Sequence, residues 1–459
     1  MRGISYFGGS MPRTIYPVIT LFLLLASSLV SAQNTVRGRV VSGENGKPIA
    51  GASIFISNTS KGTVTDEKGN FELYVPTGKY VLVISDVGYQ TDLESIDSRD
   101  LKPFYAISMK VKTEELGEVT VRAFDKNGWK RWGEFFKEYF IGTTAFSKRC
   151  KLLNPEAVRI YYNKNRRILS AYSEGPLLIE NRALGYLLQV NLEDFKVNFN
   201  THEIDFSIFP LFKEMKGTPK QQQQWAVNRE DAYYGSSLHF YRALFRNRVL
   251  DEGFSVRELA HRDSTDISRI KSILRGTVGS YRDSTGALVH YRKAPESYLP
   301  KETLAQFDVV LSQAAADQNP VEYPGLIDPN SVIEERDSSA IVVNFDEILK
   351  VTYLRKAPPD EYLNDYGIDS DNPDNLTRRP IIRKTKEGMS TNLELTRGTP
   401  VEIFANGSYM NTDLEFMGFW TWWQKMGTLL PFDYEPPTPM PAGPDVPGPG
   451  ATGPTHEGN

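Results

Sequence analysis

The sequence predicts a mainly β, α+β protein in which an N-terminal β-sandwich precedes a larger β-rich α+β domain. Three observations carry that expectation. Between Thr35 and Thr91, short apolar runs are separated by Gly, Pro, Asn and Asp clusters, which is the spacing of a small sandwich. From Val158 to Phe404, strand-like runs recur and only a few segments show helical periodicity. Cys150 is the one cysteine, so packing and not an intrachain disulfide must hold the chain together, and the thiol is expected to be a buried small hydrophobe.

The chain opens with an address. Arg2 and Arg13 precede a Leu-rich run from Val18 to Val30, and Val30-Ser31-Ala32 places small residues where signal peptidase cuts, before Gln33. The run falls short of the roughly 20 residues that a spanning helix needs. Residues 1–32 are therefore expected to be a removed signal peptide, with no spanning segment left behind and the protein exported to the periplasm or to the outer membrane and cell surface. The chain carries 53 Lys+Arg against 57 Asp+Glu, a net charge of −4. A mildly acidic protein without a basic block argues against nucleic acid as a partner.

Residues 33–122 are assigned to the sandwich. Phe71, Leu73 and Val75 alternate with Glu72 and Tyr74, so one face is buried and the other wet. Tyr80 to Ile84 is apolar at nearly every position and suits a strand covered on both faces. Asp66-Glu67-Lys68-Gly69 is a turn, with Gly69 free to take positive φ. Tyr105, Ile107, Met109 and Val111 alternate as a closing strand, and Leu116 to Arg122 is a further strand or connector.

Gly38, Pro48-x-x-Gly51-Ala52, Thr65-Asp66-x-x-Gly69-x-Phe71, Pro76-x-Gly78-x-Tyr80 and Val87-Gly88-Tyr89 together resemble the carboxypeptidase regulatory-like domain. The resemblance implies a transthyretin-like sandwich of the kind that heads many Gram-negative envelope proteins, TonB-dependent receptors among them. The remainder resembles a class of secreted proteins headed by the same module. No receptor barrel is expected to follow, because a barrel needs many alternating membrane strands of about 10 residues each.

Residues 123–434 are assigned to the second domain. Trp129, Trp132, Phe135, Phe136, Tyr139 and Phe140 recur at helical spacing with Lys130, Arg131 and Glu134 between them, so a helix opens it and is expected to pack onto its own domain. Strands follow at Val158 to Tyr162, Ile168 to Tyr172, Leu177 to Ile179 and Leu184 to Phe199. Asn181 is read as a turn residue between the surface charges Glu180 and Arg182, and Gln221 to Gln224 as a polar loop. Ser236 can cap a second helix bearing Leu238, Tyr241 and Phe245. Three near-repeats, Arg262 to Thr265, Arg282 to Thr285 and Arg336 to Ser339, are read as hairpin tips whose Asp and Ser side chains bond backbone amides two residues on.

Catalytic sets mostly fail. A zinc carboxypeptidase needs H-x-x-E and a further His on one tetrahedral ion, and none of His202, His239, His261, His290 and His456 has Glu three residues on. His202, Glu203 and Asp205 would face opposite sides of a strand. Ser268-x-x-Lys271 lacks the companion motifs of penicillin-binding enzymes. The acidic run from Asp360 to Asp374 begins well for calcium at Asp369 and Asp371, but Pro373 takes the third ligand position.

Phe416, Phe419, Trp420 and Trp423, at i, i+3, i+4 and i+7, predict a short amphipathic helix whose stripe is expected to be core, with a docking or membrane face as the alternative, for which these four are the candidate partner-binding residues. Residues 435–459 are Pro/Gly-rich and expected to be a disordered tail. With no cofactor, metal or catalytic residues assigned, the leading expectation is an exported, non-catalytic binding or scaffolding protein. In it the sandwich serves as adaptor for the second domain, and the partner is an envelope protein or glycan. A hydrolase acting on envelope or dietary polymers is the alternative, and an accessory to TonB-dependent uptake the third reading.

Overall fold

A computed structural model describes residues 34–111, 125–201, 203–260, 273, 277–282, 288–293, 299–301, 303–304, 321–322, 325–364, 366–368, 378–380, 388–395, 399–409 and 414–437. The expected signal peptide, the expected boundary near residue 122 and the tail beyond 437 lie outside these residues, as do His202, His261, His456, Arg262 to Thr265, Asp283 to Thr285, Ser268, Lys271, Asp369 and Asp371.

The sandwich comprises β1 (Thr35–Ser42), β2 (Ser53–Ile56), β3 (Gly62–Val64), β4 (Asn70–Tyr74), β5 (Lys79–Ser85), β6 (Asp92–Asp97) and β7 (Tyr105–Met109). These form two sheets, β4-β1-β7 and β3-β2-β5-β6. Val36, Val40, Phe71 and Leu73 from the first meet Ile54, Leu82 and Ile84 from the second in a closed core. Glu72 and Tyr74 point outward, as the alternation requires. At the turn after β3, the Asp66 carboxylate accepts from the amides of Lys68 and Asn70, both at 2.8 Å. Gly69 there has φ +77°, and a Cβ would stand 2.4 Å from the Val40 carbonyl oxygen, so only glycine fits.

β5 shows why its run is unbroken. Tyr80, Leu82 and Ile84 enter the sandwich core, while Val83 on the opposite face packs with Phe55 of β2 and with Leu211 of the second domain. Both faces are covered, as the sequence implies.

The second domain begins with α1 (Gly128–Phe140), followed by β8 (Cys150–Leu152), β9 (Val158–Asn163), β10 (Ile168–Ser173), β11 (Leu177–Asn181), β12 (Tyr186–Asn198) and β13 (Ile204–Glu214). The strands order as β8-β11-β12-β10-β9, with β13 along the other side of the long β12. α1 buries Trp132, Phe135, Phe136 and Phe140 against this sheet. Phe136 meets Phe195 at 5.1 Å and Phe135 meets Phe199 at 5.6 Å between ring centroids.

Two helices then enter the core. α2 (Pro219–Tyr233) corrects the expected loop at Gln221 to Gln224. The Thr218 hydroxyl accepts from the Gln221 amide at 3.3 Å, and the Gln221 side chain accepts from the Thr218 amide at 2.8 Å. This capping box and Pro219 in the first turn nucleate a helix whose first turns are too polar to show a stripe. α3 (Ser237–Phe245) is capped by Ser236, whose hydroxyl accepts from the His239 amide at 3.2 Å, and is buried on every side from Ser237 to Leu244.

The remaining elements are β14 (Phe254–Ala260), β15 (Thr277–Arg282), β16 (Leu288–Lys293), β17 (Val321–Glu322), β18 (Ile333–Arg336), β19 (Ala340–Val343), β20 (Ile348–Tyr353), α4 (Asp360–Leu363), β21 (Tyr366–Ile368), β22 (Arg378–Pro380), β23 (Met389–Leu395), β24 (Val401–Phe404), β25 (Leu414–Gly418) and α5 (Phe419–Trp423). They form sheets β17-β14-β20-β23-β25 and β18-β19-β24 and the hairpins β15-β16 and β21-β22. The third Arg-Asp-Ser step turns β18 into β19 as expected, its Asp337 carboxylate accepting from the amides of Ser339 at 2.6 Å and Ala340 at 2.7 Å. One core runs from α1 through both helices to Tyr434.

Candidate functional site

The four aromatic residues marked by the sequence lie mostly inside. Phe419 and Trp420 are each 1% exposed and Trp423 7%, while Phe416 is half-buried. They are not one helical stripe either. Phe416 sits on β25, and Gly418 at φ +116° breaks the chain before α5; a Cβ on Gly418 would meet the Ser390 carbonyl oxygen at 2.7 Å. Trp420 Nε1 donates to the Gly235 carbonyl at 2.7 Å, and its ring meets Phe240 of α3 at 5.6 Å. The stripe reads as a helix face because its aromatic residues recur at three- and four-residue spacing, and tertiary packing gives it the protein's own core as partner.

Two titratable groups in the interior, His239 and Glu252, are closed on each other. His239, fully buried, accepts the Gly235 amide at Nδ1 at 3.1 Å, which leaves the proton on Nε2 to be donated to Glu252 at 2.9 Å. Burial pushes the imidazole below its ordinary range. Burial also pushes the Glu252 carboxyl up, but the His239 bond and the Arg246 guanidinium at 3.1 Å outweigh it and leave it below its ordinary value. Neither imidazole nitrogen is left to take a substrate proton. Cys150, partly buried, has its thiol pushed up to about 12 by burial, which keeps it protonated.

Asn181 is fully buried and caps its own turn, its side-chain oxygen accepting from the amides of Ala183 at 3.1 Å and Leu184 at 3.0 Å. Glu180 and Arg182 pair at the surface at 2.9 Å, as read from the sequence. α2 clamps this turn. Trp225, Asn228 and Arg229 donate to the carbonyls of Arg182, Ala183 and Leu184 at 3.1, 2.6 and 2.7 Å.

The constellation that joins distant parts of the chain is the seam between sandwich and second domain. At one end, the loop Ser57 to Lys61 inserts as a peg. The Asn58 amide donates to Pro210 at 2.7 Å, Phe212 donates to Thr59 at 3.0 Å, and Phe432 donates to Asn58 at 2.7 Å. Asp433 accepts from the Ser60 amide at 2.9 Å and pairs with Lys61 at 3.3 Å. Phe55, Val83 and Leu211 form a small apolar centre. At the other end, Glu402 of β24 receives both Lys79 at 2.5 Å and Arg99 at 2.7 Å, Arg99 also reaches Asp97 at 2.7 Å, and the Asn406 side chain bonds the Tyr80 hydroxyl. The guanidinium of Arg99 lies 4.9 Å over the Phe404 ring. Sequence reading found the sandwich half of this seam through the doubly apolar β5, but Leu211, Glu402, Asn406 and Asp433 carry no local signal.

The sandwich lies within a matched family model. Residues 36–121 match the CarboxypepD_reg-like domain. This segment is a CarboxypepD_reg-like domain. TonB-dependent receptors P39 and P3 of Formosa agariphila are 36% and 30% identical to this chain over 104 and 105 residues, and TonB-dependent receptor SusC of Bacteroides thetaiotaomicron is 32% identical over 99 residues. Each match covers 22% or 23% of this chain and only 9% or 10% of the receptor. It is confined to the N-terminal region that holds the CarboxypepD_reg-like domain. A type II cohesin–X-dockerin complex from Acetivibrio cellulolyticus is similar over 16% of this chain at 27% identity, with a TM-score of 0.13, too slight a likeness to carry an argument. Among the described residues, no helix is long and apolar enough to cross a membrane.

Proposed function

We propose that this chain is an exported envelope protein with a non-catalytic binding or scaffolding role, in which the CarboxypepD_reg-like domain is the adaptor that orients the larger domain beside TonB-dependent uptake. The observation that carries the reading is the seam: a module otherwise matched in TonB-dependent receptors is here fixed to a different domain by a peg, an apolar centre and a charged latch. An adaptor must hold a defined orientation, and contacts at three separate points restrain all rotations of one body on another. The non-catalytic part is supported by the interior His239 and Glu252, whose hydrogen bonds are spent on each other and on the Gly235 amide. The partner we expect is an envelope protein or glycan.

The test combines address and partner. Mass spectrometry of the mature protein should find Gln33 at the N-terminus, and cross-linking in intact cells should join the second domain to a TonB-dependent receptor or another envelope protein. A retained segment from Met1 to Ala32 would overturn export. Turnover of an envelope or dietary polymer by the purified chain would replace the binding role with the hydrolase.

A further inference from the structure

The seam has a backing inside the second domain. Arg242 of α3 is 2% exposed, and its guanidinium holds both segments that receive the sandwich. Nε donates to the Asn406 carbonyl at 2.9 Å and Nη2 to the Phe432 carbonyl at 3.1 Å. The same two residues touch the sandwich directly, Asn406 through the Tyr80 hydroxyl and Phe432 through the Asn58 carbonyl. The guanidinium also pairs with Glu435 at 3.4 Å and lies 5.5 Å from the Tyr233 ring. Gly407 presses on the same helix face, since a Cβ there would meet Leu238 at 2.7 Å and Arg242 at 3.2 Å. One buried fork therefore links α3 to the sandwich along two independent routes. A lysine would place a point charge there and could not reach both carbonyls in the plane that the fork supplies.

On its other side α3 covers a cavity of about 20 Å³ whose lining is wholly apolar and includes Phe240, Tyr241 and Leu244 of the helix, with Val256, Leu349 and Ile403 from the sheets. We propose that Arg242 is a positioning residue that makes sandwich docking and the seating of α3 over this cavity a single cooperative unit, so that releasing the sandwich loosens the helix. The physical basis is that the docked sandwich fixes Asn406 and Phe432. These in turn hold Nε and Nη2 of a buried cation, whose Nη1 has no hydrogen-bond partner, and losing them would leave it with two fewer acceptors and push outward on α3. The inference is independent of what the second domain binds.

Amide hydrogen exchange on the full chain tests it. Lys79→Glu with Arg99→Glu turns the latch at Glu402 from attraction to repulsion without touching the second domain. The expected result is at least a tenfold faster exchange at the peg amides of Asn58, Phe212 and Phe432, and at Phe240 to Leu244 of α3, with Val36 and Tyr105 of the sandwich unchanged. Arg242→Lys should accelerate the same two groups together. Fast peg amides with an unchanged helix in the latch variant would overturn the proposal. Unchanged peg amides there would also overturn it, because the latch would then not govern docking. Should Arg242→Lys prove too unstable to read, the latch variant decides alone, since its substitutions lie at the sandwich surface.

Discussion

Replacing Trp420 by alanine distinguishes a core residue from a docking residue most sharply. The side chain is 1% exposed and packs on Phe240, Tyr241 and Phe416, at 5.6, 6.2 and 6.0 Å between rings. Truncating a buried tryptophan costs about 3–5 kcal/mol through lost transfer energy and the residual cavity. The Gly235 carbonyl also loses the indole N–H at 2.7 Å, which adds about 1–3 kcal/mol for an unsatisfied buried acceptor. The sum, about 4–8 kcal/mol, rivals the whole stability of an ordinary domain, about 5–15 kcal/mol. Urea unfolding followed by far-UV circular dichroism should show the second-domain transition shifted to far lower denaturant or already complete in buffer. Trp420→Phe, which keeps most of the packing and loses the bond, should fall between the two. A Trp420→Ala protein that unfolds within about 1 kcal/mol of wild type would refute the burial argument and return this residue to the surface role.

Three further outcomes follow from the same structure. Gly185→Ala forces φ +72° on a residue with a Cβ that would lie 2.2 Å from the Trp225 ring, so a loss of about 2–5 kcal/mol is expected in the same unfolding assay. His239 has its folded pKa lowered by burial, so the unfolded chain binds the proton first; its contribution to stability is complete above the ordinary 6.5 and drains as pH falls below it. Glu252, also lowered, loses its contribution as pH falls from the ordinary 4.5 through its folded value, so unfolding midpoints should decline from pH 7.5 to 4, and His239→Gln should flatten the upper part of that decline. Cys150, held protonated by burial, should react with a thiol reagent at pH 7.5 far more slowly in the native protein than in urea, and equal rates would refute its burial.

Much of the architecture was legible in the chain because it rests on local rules. Alternation at Phe71 to Val75, the Asp66 to Gly69 turn, the Ser236 cap and the Asp337 hairpin are each decided by side chains within a few residues of one another. The unbroken run of β5 even announced a second covered face. α2 escaped because its local signal is a capping box, Thr218 with Gln221, and not a stripe, and because the packing of Trp225, Ala232 and Tyr233 that holds it comes from remote parts of the chain. The aromatic residues from Phe416 to Trp423 show the opposite limit. Their apolar character required burial, which the sequence does fix, but whether the cover is a partner or the chain itself depends on α3 and the Gly235 carbonyl, which are remote in sequence. The seam is decided only by tertiary structure for the same reason. Glu402, Asn406 and Asp433 are ordinary surface-type residues that become a receiver because the fold brings them within hydrogen-bond reach of Arg99, Tyr80 and Ser60, more than 300 positions earlier.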